Sequence, residues 1–570
     1  MRFLLIFQIY FQYFLFFLSL FYQYIDNMRH IRLIIFSLAT ILITQIMSPL
    51  NTAAQNIIPE PNSVISKSGT FLIDKNMTIS FNEDSLVYSA EFLQNYLKNY
   101  YSCPININNK KKGQIELKLT KKKGYTKGEY KLNINKNRIK VTAYDASGVF
   151  YGIQSLIQLL PTKENYNTEK QLSVPCIDVK DKPRFGYRGM HLDVVRHIFS
   201  VDYLKKYIDY LAMHKMNYFH WHLTDDQGWR MESKSHPKLN EKGAYRDATI
   251  IGLFPGTGID STRYGGYYTI EQMKEIIDYA AKRYITIVPE IDMPAHCMAI
   301  LATYPQLGTE PEKEIKPAIT WGIYNRQNNV LAPRDETFKF LEDVFNEVMD
   351  IFPGPYIHIG ADECAHKWWK EDPFTQQFIK EKGLKNEKEL TSYFVQKVAE
   401  TIHKRGRMPI GWDEVTDSCK AEGIIVMNWR DVTKGHKALN DGNKVILTPA
   451  RYSYFNIRQF KEQTRLAHMT EPVTLRKVYM FEPVPDSLST KQAKLILGGQ
   501  GCLWTEYYPD IESVEYGIFP RMSAIAEVYW SAPENKDYKK FLKKMETQKC
   551  RYKIWGANSC DIPAIPSPAN

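Results

Sequence analysis

Two patterns of hydrophobic and polar positions divide this chain into an amino-terminal part and a larger central part. Between residues 57 and 180 short alternating segments prevail, and apolar side chains at every second position along 130–134 and 139–141 predict a β-hairpin. Residues 148–160 place apolar side chains on one helical stripe that ends at Pro161, which predicts a helix. We therefore expect a small α+β domain over residues 55–180.

Beyond Pro183 short apolar segments alternate with helical patterns. Amphipathic stretches at 201–214, 270–283 and 389–405 predict helices. An open, doubly wound sheet is the other α/β arrangement, but its glycine-rich first turn is missing. The pattern therefore predicts a (β/α)8 TIM barrel over residues 183–535. Its eight expected strands are 187–194, 218–224, 285–292, 356–362, 408–414, 424–430, 444–449 and 495–504.

The first 54 residues form a hydrophobic leader region. Met28 starts a basic, then apolar, then small-residue sequence typical of a signal peptide cleaved near Ala53, which indicates that translation starts at Met28. The alternative is an uncleaved membrane anchor at Phe3–Ile25, which is long enough to span a bilayer. Both interpretations predict an exported protein that is periplasmic, cell-surface or secreted. We expect no stable membrane span in the mature chain.

Charge and cysteine content argue against several classes of function. The 74 Lys and Arg against 63 Asp and Glu give a net charge of +11, but the lysines form short runs apart from the aromatic residues. This distribution favours a solvated surface over nucleic-acid binding. The 8 cysteines are scattered without C-x-x-C pairs, so zinc ribbons are not indicated. The lysine-rich tail, residues 536–570, predicts no function of its own.

Carboxylates and tryptophans follow the predicted strands, at the ends where such barrels hold their reacting groups. Tryptophan faces stack on the apolar face of a sugar ring, and carboxylates bond its hydroxyls or move protons, so the set points to a carbohydrate. Its members are Asp193, Asp225, Asp226, Glu290, Asp292, Asp362, Glu363, Asp413, Glu414, Trp429, Trp504 and Glu506.

The segment HIGADECAHKWW, residues 358–369, carries the sharpest signal because it ends a strand with two adjacent carboxylates, Asp362 and Glu363. Adjacent residues cannot flank a glycosidic bond at the separation that a general acid and a carboxylate nucleophile need. If both act, the second must support something other than direct attack on the anomeric carbon.

On six ordered motifs the chain resembles glycoside hydrolase family 20, the β-N-acetylhexosaminidases. The resemblance covers nearly all of residues 57–535, including the small domain before the barrel. The motifs are YRGMHLDVVRH (187–197), FHWHLTDDQGWR (219–230), PEIDMPAH (289–296), HIGADE (358–363), GWDE (411–414) and QGCLWTEY (500–507).

The resemblance implies retaining hydrolysis in which the 2-acetamido oxygen of the substrate attacks the anomeric carbon. Glu363 is then the general acid and base, and Asp362 orients the acetamido N–H. Tyr454 holds the acetamido carbonyl oxygen. His296 and Asp225 resemble the pair that hydrogen-bonds behind the acid, although the sequence leaves open whether Asp225 or Asp226 makes the contact.

The resemblance also implies a pocket for one terminal sugar, walled by Trp412, Trp429 and Trp504. Arg188 and Glu506 resemble the pair that grips the sugar at O3 and O4, which makes the enzyme exo-acting. The expected partner is an oligosaccharide or glycoconjugate with a terminal β-linked N-acetylhexosamine. No cofactor or metal is expected, and the assembly is expected to be a monomer or a homodimer.

One position departs from the family pattern. Many members carry Asp two residues after the tyrosine, whereas this chain has Asn456 followed by Arg458. The change removes a negative charge near C6 of the sugar and adds a positive one. We therefore expect tolerance of, or preference for, a 6-sulfated N-acetylglucosamine; the alternative is that Asn456 simply bonds the 6-hydroxyl.

Two other functions remain open. His220 and His222 lie two apart on a strand, the H-x-H spacing of metal-dependent amidohydrolase barrels, but no matching lysine and histidine set follows on later strands. A non-catalytic sugar-binding protein on this scaffold is the other alternative, and it is expected to have lost Asp362, Glu363 or Tyr454.

Overall fold

A computed structural model describes residues 56–561, apart from 110–111, 122–123, 125, 163–170 and 419–420, together with positions 15–17, 19, 20 and 23. The predicted leader lies outside the described residues except for these few positions, and so does the chain from residue 562 onward. Within the described part, no helix is both long and apolar enough to cross a bilayer.

The amino-terminal part is a mixed seven-stranded sheet covered by two helices. The predicted hairpin is confirmed, because Tyr130 lies opposite Ala143 in an antiparallel pair. The predicted helix begins slightly earlier than expected, since the side chain of Asp145 accepts a hydrogen bond from the backbone N–H of Gly148 and caps it. The strands are β1 Ser63–Leu72, β2 Thr78–Phe81, β3 Asn106–Ile107, β4 Ile115–Leu119, β5 Tyr130–Asn135, β6 Arg138–Ala143 and β7 Ser173–Asp181, in the sheet order β1-β7-β5-β6-β4-β2-β3; the helices are α1 Val87–Tyr101 and α2 Ala146–Gln158.

The central part is a closed barrel of eight parallel strands, as predicted. Each strand has a parallel neighbour on both sides. Around the closed ring the strands follow the order β10-β11-β12-β13-β14-β15-β8-β9, and β9 lies next to β10. The strands are β8 Tyr187–Asp193, β9 Tyr218–His222, β10 Thr286–Met293, β11 Tyr356–Gly360, β12 Met408–Trp412, β13 Ile425–Asn428, β14 Val445–Leu447 and β15 Ile496–Leu503.

Helices surround the barrel, and the three predicted ones form within two residues of the expected ends. The described helices of this part are α3 Val201–Met213, α4 Ile270–Ala281, α5 Met298–Thr303, α6 Asp335–Ile351, α7 Lys367–Glu371, α8 Pro373–Glu381, α9 Glu387–Lys404, α10 Val432–Asn440, α11 Ala450–Ser453, α12 Leu475–Met480, α13 Thr490–Ala493, α14 Ile511–Ile518, α15 Arg521–Trp530 and α16 Tyr538–Ile554.

The predicted tail begins with a packed helix, α16. Its Lys544 donates to the backbone carbonyl of Ile57, and its Arg551 donates to that of Gln158. These contacts tie the end of the chain to the amino-terminal sheet domain. The carboxyl ends of β8–β15 lie together at one end of the barrel, the end at which barrels of this type hold their functional sites.

Candidate active site

A cavity of about 300 Å³ opens at the carboxyl ends of the barrel strands. Residues that follow seven of the eight strands contribute to its wall, so the site exists only when the ring is closed. The lining residues are Arg196, Asp225, His296, Asp362, Glu363, Trp429, Ala450, Tyr454, Asn456, Ile457, His468, Thr470, Trp504 and Glu506.

The backbone after β11 is forced into an unusual conformation that turns both adjacent carboxylates toward the cavity. Gly360, Ala361 and Glu363 all have positive φ, at 66°, 76° and 45°. A Cβ on Gly360 would lie 1.7 Å from an oxygen of Asp292, so only glycine fits there. Left-handed conformations at non-glycine residues cost free energy and cluster at functional sites. Here the turn undoes the strand alternation that would send neighbouring side chains to opposite faces.

The two carboxylates differ in their surroundings. Burial raises the pKa of Asp362 to about 6, although the nearby His296 opposes this rise. Glu363 keeps 44% of its side chain exposed. Burial also acts to raise its pKa, but the hydrogen bond and charge of His296 together with the charge of Arg196 bring the pKa below its usual value. Of the two, Asp362 therefore keeps its proton to higher pH than Glu363 does.

His296 lies directly behind this pair. Its Nε2 is 3.5 Å from Glu363 and 3.7 Å from Asp362. Its Nδ1 is 3.1 Å from Asp225 and 3.0 Å from Asp226, so both aspartates contact the histidine, and of the two only Asp225 lines the cavity. Burial acts to lower the pKa of His296, but the two aspartates raise it well above its usual value. The ring is therefore a cation beside Asp362 and Glu363.

Asp225 is held by further cations. An Nη of Arg196 lies 2.8 Å from one of its oxygens, and the Nε2 of His222 lies 2.9 Å from the same oxygen. Arg196 also binds Asp193 at 3.0 Å and stands over the ring of Trp504. Burial alone would raise the pKa of Asp225, but Arg196 and His296 bring it well below its usual value.

The structure corrects the prediction for Arg188. This residue lies near the start of β8, about 16 Å along the strand from Asp193 at its end. Its guanidinium donates to the carbonyls of Lys215 and Phe185 and to the hydroxyl of Tyr151, at the base of the barrel. The arginine of the same motif that reaches the cavity is Arg196, which the sequence reasoning missed.

Two of the three predicted tryptophans line the cavity. Trp504 and Trp429 are in the wall, where Trp429 stacks against Tyr454 with ring planes 13° apart. Trp412 is not among the lining residues that the structure describes, which corrects its predicted place. It is 1% exposed, packs against Trp504 from the core side and donates its indole N–H to Glu290 at 2.8 Å.

Glu506 and Asn456 are in the wall as predicted, and Arg458 is not. One carboxylate oxygen of Glu506 and the amide oxygen of Asn456 are buried with no hydrogen-bond partner among the described residues, which leaves two acceptors for a ligand. The Arg458 guanidinium donates instead to the backbone carbonyls of Thr470 and Lys461. His468 and Thr470 occupy the rim beside Asn456, a part of the wall that the sequence did not predict.

A second cavity of about 400 Å³ begins on the other side of Glu363. It shares Glu363 and Trp429 with the first cavity, so the carboxyl of Glu363 lies where the two meet. Its remaining lining residues are Tyr324, Ala361, Cys364, His366, Lys388, Thr391, Glu414, Asp417 and Arg430.

The described residues include three buried clusters whose donor atoms lie within 4.8 Å of one another: His191, His220 and Glu290; Asp225, Asp226 and His296; and Asp292, His296 and Asp362. In the first, the Nδ1 of His220 accepts from Gln500 and its Nε2 lies 3.0 Å from Glu290, and in the other two His296 pairs with the surrounding carboxylates. Both ring nitrogens of His191 and the Oδ1 of Asp362 have no hydrogen-bond partner among the described residues.

Residues 185–533 match the model of the glycosyl hydrolase family 20 catalytic domain, and residues 54–182 match domain 2 of the same family.

Named relatives extend the match over most of the chain. The β-hexosaminidase of Porphyromonas gingivalis is 37% identical over 525 residues, which are 90% of this chain and 65% of that protein. This chain therefore spans just under two thirds of the length of that relative. The β-hexosaminidase of Vibrio furnissii is 33% identical over 84% of this chain and 76% of its own.

Solved structures superpose on this chain over most of its length. The exo β-N-acetylglucosaminidase of Vibrio harveyi, in complex with N-acetylglucosamine, superposes with a TM-score of 0.79 at 31% identity, covering 90% of this chain and 79% of that one. The β-N-acetylhexosaminidase of Bacteroides fragilis superposes with a TM-score of 0.75 at 29% identity, covering 90% and 99%.

Proposed function

Because this chain belongs to glycosyl hydrolase family 20, we propose that it is an exo-acting β-N-acetylhexosaminidase that removes terminal non-reducing β-linked N-acetylhexosamine from glycans. The observation that carries the proposal is the turn at residues 360–363. It brings Asp362 and Glu363 to one wall of a cavity that also contains Tyr454 and Trp504.

The reaction we propose is retaining hydrolysis with help from the substrate. The acetamido oxygen attacks the anomeric carbon while the bond from that carbon to the leaving oxygen breaks, and Glu363 gives its proton to the leaving oxygen. Asp362 accepts the acetamido N–H and stabilises the positive charge of the oxazolinium intermediate. Tyr454 donates its hydroxyl to the acetamido oxygen. Glu363 then takes a proton from water as the water oxygen bonds to the anomeric carbon, and the bond from that carbon to the acetamido oxygen breaks to restore the acetamido group.

Glu363 needs a proton for the first step, although His296 and Arg196 lower its pKa. A sugar that fills the cavity displaces water from the exposed part of this side chain, and desolvation favours the neutral carboxylic acid. The same sugar gives Asp362 an N–H to accept, which favours its anion. Binding therefore moves the shared proton from Asp362 to Glu363.

Arg196 and Glu506 are suited to hold the sugar hydroxyls. Glu506 has a free buried carboxylate oxygen, and the Arg196 fork lines the same cavity while three of its N–H groups are fixed by Asp193, Asp225 and Gln227. Fixed donors of this kind suit vicinal hydroxyls. The predicted pairing of an arginine with Glu506 thus passes from Arg188 to Arg196.

We propose tolerance of a 6-sulfate rather than a site built to bind it. The uncharged Asn456 lines the cavity, so no carboxylate repels a sulfate there, whereas Arg458 is engaged with backbone carbonyls. Hydrolysis of 4-nitrophenyl N-acetylglucosaminide and its 6-sulfate by the parent, Asn456→Asp and Arg458→Ala tests this. We expect Asn456→Asp to lose the sulfated substrate selectively and Arg458→Ala to resemble the parent; no sulfate turnover by the parent would end the idea.

We further propose that the protein is exported, on the strength of the leader pattern before residue 55. Sequencing the amino terminus of the protein from fractionated cells tests this. A terminus near residue 55 in a fraction outside the cytoplasm supports export, and a cytoplasmic chain that begins at Met28 contradicts it.

The central experiment is release of 4-nitrophenol from the β-N-acetylglucosaminide by purified residues 55–570, with Asp362→Asn and Glu363→Gln alongside. We expect strong turnover by the parent and a loss of at least about 100-fold in each variant. A folded parent without turnover would contradict the proposal for this substrate. Binding of a thiazoline inhibitor, measured by thermal shift, would then show whether the cavity still recognises the acetamido group.

A further inference from the structure

Behind the cavity, a row of buried side chains connects Glu363 to the centre of the barrel. We propose that His222 is a positioning residue for the reaction: its imidazolium joins Glu290 to Asp225, keeps Asp225 ionised and so holds His296 against Glu363. This inference rests on the proposed hydrolase function, and it concerns a residue that lies outside the cavity wall.

The geometry of His222 requires a protonated ring. Its Nδ1 lies 2.6 Å from Glu290 and its Nε2 lies 2.9 Å from Asp225, and the ring is completely buried. A neutral imidazole has one N–H and one lone pair, so one of these contacts would set a lone pair against a carboxylate oxygen. Either the ring carries both protons or one of the carboxyl groups is protonated.

Asp225 and Glu290 each accept hydrogen bonds from other donors, which argues against a proton on either carboxyl group. Asp225 accepts from Arg196 at 2.8 Å and from the backbone N–H of Asp226 at 2.6 Å. Glu290 accepts from the indole of Trp412 at 2.8 Å. Both carboxyl groups therefore serve as anions, and both protons belong to His222.

His220, on the same strand, behaves differently. The amide nitrogen of Gln500 lies 2.8 Å from its Nδ1, which makes that atom an acceptor and leaves the Nε2–H to reach Glu290 at 3.0 Å. This ring is neutral. Burial lowers the pKa of His220 to about 4, whereas Glu290 and Asp225 overcome burial and raise that of His222 to about 10.

The titratable and charged groups that face His222 come from strands β8, β9 and β10 and the loops after β8 and β9: His191, Asp193, Arg196, His220, Asp225 and Glu290. Burial and the neighbouring His220 bring the pKa of His191 well below its usual value, so His191 is neutral like His220. His222 and Arg196 are thus the two cations of this group, and each contacts Asp225 directly. Removing the charge of His222 leaves Asp225 with less support for its anion, which raises the pKa of that aspartate.

The consequence reaches Glu363 through His296. An ionised Asp225 shares the Nδ1–H of His296 with Asp226 and helps to fix the ring with its Nε2 toward Glu363. A protonated Asp225 is a weaker acceptor for that N–H, so the imidazolium of His296 is held less firmly and stabilises the anion of Glu363 less, and the Asp362–Glu363 pair takes up its second proton at higher pH. The acid limb of kcat/KM should therefore move to higher pH when His222 loses its charge.

The test compares His222→Gln with His220→Gln in the full enzyme, a matched pair since both histidines are fully buried on β9 and contact Glu290. For His222→Gln we expect kcat to fall at least about 10-fold with KM within about threefold, and the acid limb of kcat/KM to rise by about one pH unit. For His220→Gln, a change of one neutral side chain for another, we expect an unchanged limb.

A direct readout is the ¹⁵N spectrum of the labelled histidines in the native protein, where His222 should keep both ring N–H groups from pH 6 to 9. A neutral His222 at pH 7, or equal shifts of the acid limb in the two variants, would overturn the inference. If His222→Gln shows no thermal unfolding transition, Glu290→Gln replaces it and should shift the limb in the same direction. A parent without turnover would count against the hydrolase proposal alone, because the spectrum does not depend on activity.

Discussion

The Nε2 of His296 lies 3.5 Å from a carboxylate oxygen of Glu363. This contact places a cation against the proposed general acid, so it stabilises the ionised form of Glu363, and of the two carboxyl groups Asp362 keeps its proton to higher pH. Glu363 is therefore protonated when the substrate binds, rather than in the free enzyme. Several measurable properties follow from this arrangement.

The first concerns pH. Productive binding needs one proton on the Asp362–Glu363 pair, and in the free enzyme that proton leaves Asp362 near pH 6. We expect kcat/KM to fall as the pH rises above about 6, and to fall again at low pH when the pair takes up a second proton. Initial rates from pH 4 to 9, with thermal unfolding recorded across the same range as a control, check this. A constant kcat/KM from pH 5 to 8 would contradict it.

The second concerns the leaving group. Glu363→Gln removes the proton donor, and a sugar alcohol depends on that proton much more than 4-nitrophenolate does. We expect the loss of kcat to be at least about tenfold greater on a β-linked N-acetylglucosamine disaccharide than on the nitrophenyl substrate. The exposed Glu381→Gln is the control and should behave as the parent on both. Equal losses on the two substrates would show that Glu363 does not protonate the leaving oxygen.

The third separates the two arginines. Arg196→Lys and Arg188→Lys both keep a positive charge and lose the guanidinium fork. We expect Arg196→Lys to lower kcat/KM at least about tenfold, since this residue lines the cavity. Arg188→Lys should leave kcat/KM within about threefold but lower the free energy of unfolding by about 2 kcal/mol, because buried carbonyls lose their donors. Steady-state kinetics and denaturant unfolding distinguish the two effects. A large loss of kcat/KM in Arg188→Lys but not in Arg196→Lys would place Arg188, rather than Arg196, at the sugar.

The fourth tests the turn that carries Asp362 and Glu363. Gly360 and Gly383 both have a φ of 66°, but a Cβ at 383 meets nothing within 4 Å, whereas one at 360 would collide with Asp292. Gly383→Ala should cost about 1 kcal/mol for the left-handed backbone alone. Gly360→Ala should cost about 1–3 kcal/mol more and abolish turnover, because the collision displaces Asp292 and the adjoining carboxylates. Equal costs and retained activity would show that the turn tolerates a side chain.

Much of the fold followed from local pattern. Strands of a parallel barrel are buried on both faces and appear as short apolar runs, so all eight were visible between helices. The charged residues of the site stood out for the same reason, because each interrupts an apolar strand at its end. Asp362, Glu363 and Tyr454 were assigned to one site on this basis together with the family resemblance, and the structure brings all three to one cavity.

The wrong predictions for Arg188, Trp412 and Arg458 share a physical cause. Arg188 and Arg196 lie in the same motif. The motif alone does not show which of the two lies near the carboxyl end of β8, where the cavity opens. Trp412 was expected in the pocket wall, yet its indole N–H bonds Glu290 in the barrel interior, a residue that lies 122 positions away. Arg458 was assigned by its distance from Asn456 in the sequence, but the loop that follows turns its guanidinium to backbone carbonyls.

The sequence by itself determined the order and type of the elements and the chemical character of the site, because both depend on residues close together along the chain. Only the tertiary structure decided which side chains meet and in which charge state. The imidazolium of His222 exists because β10 carries Glu290 to within 2.6 Å of it, and the low pKa of Glu363 exists because the loop after β10 carries His296 behind it. Such contacts join residues many positions apart, and the energy of a buried charge is set by those partners.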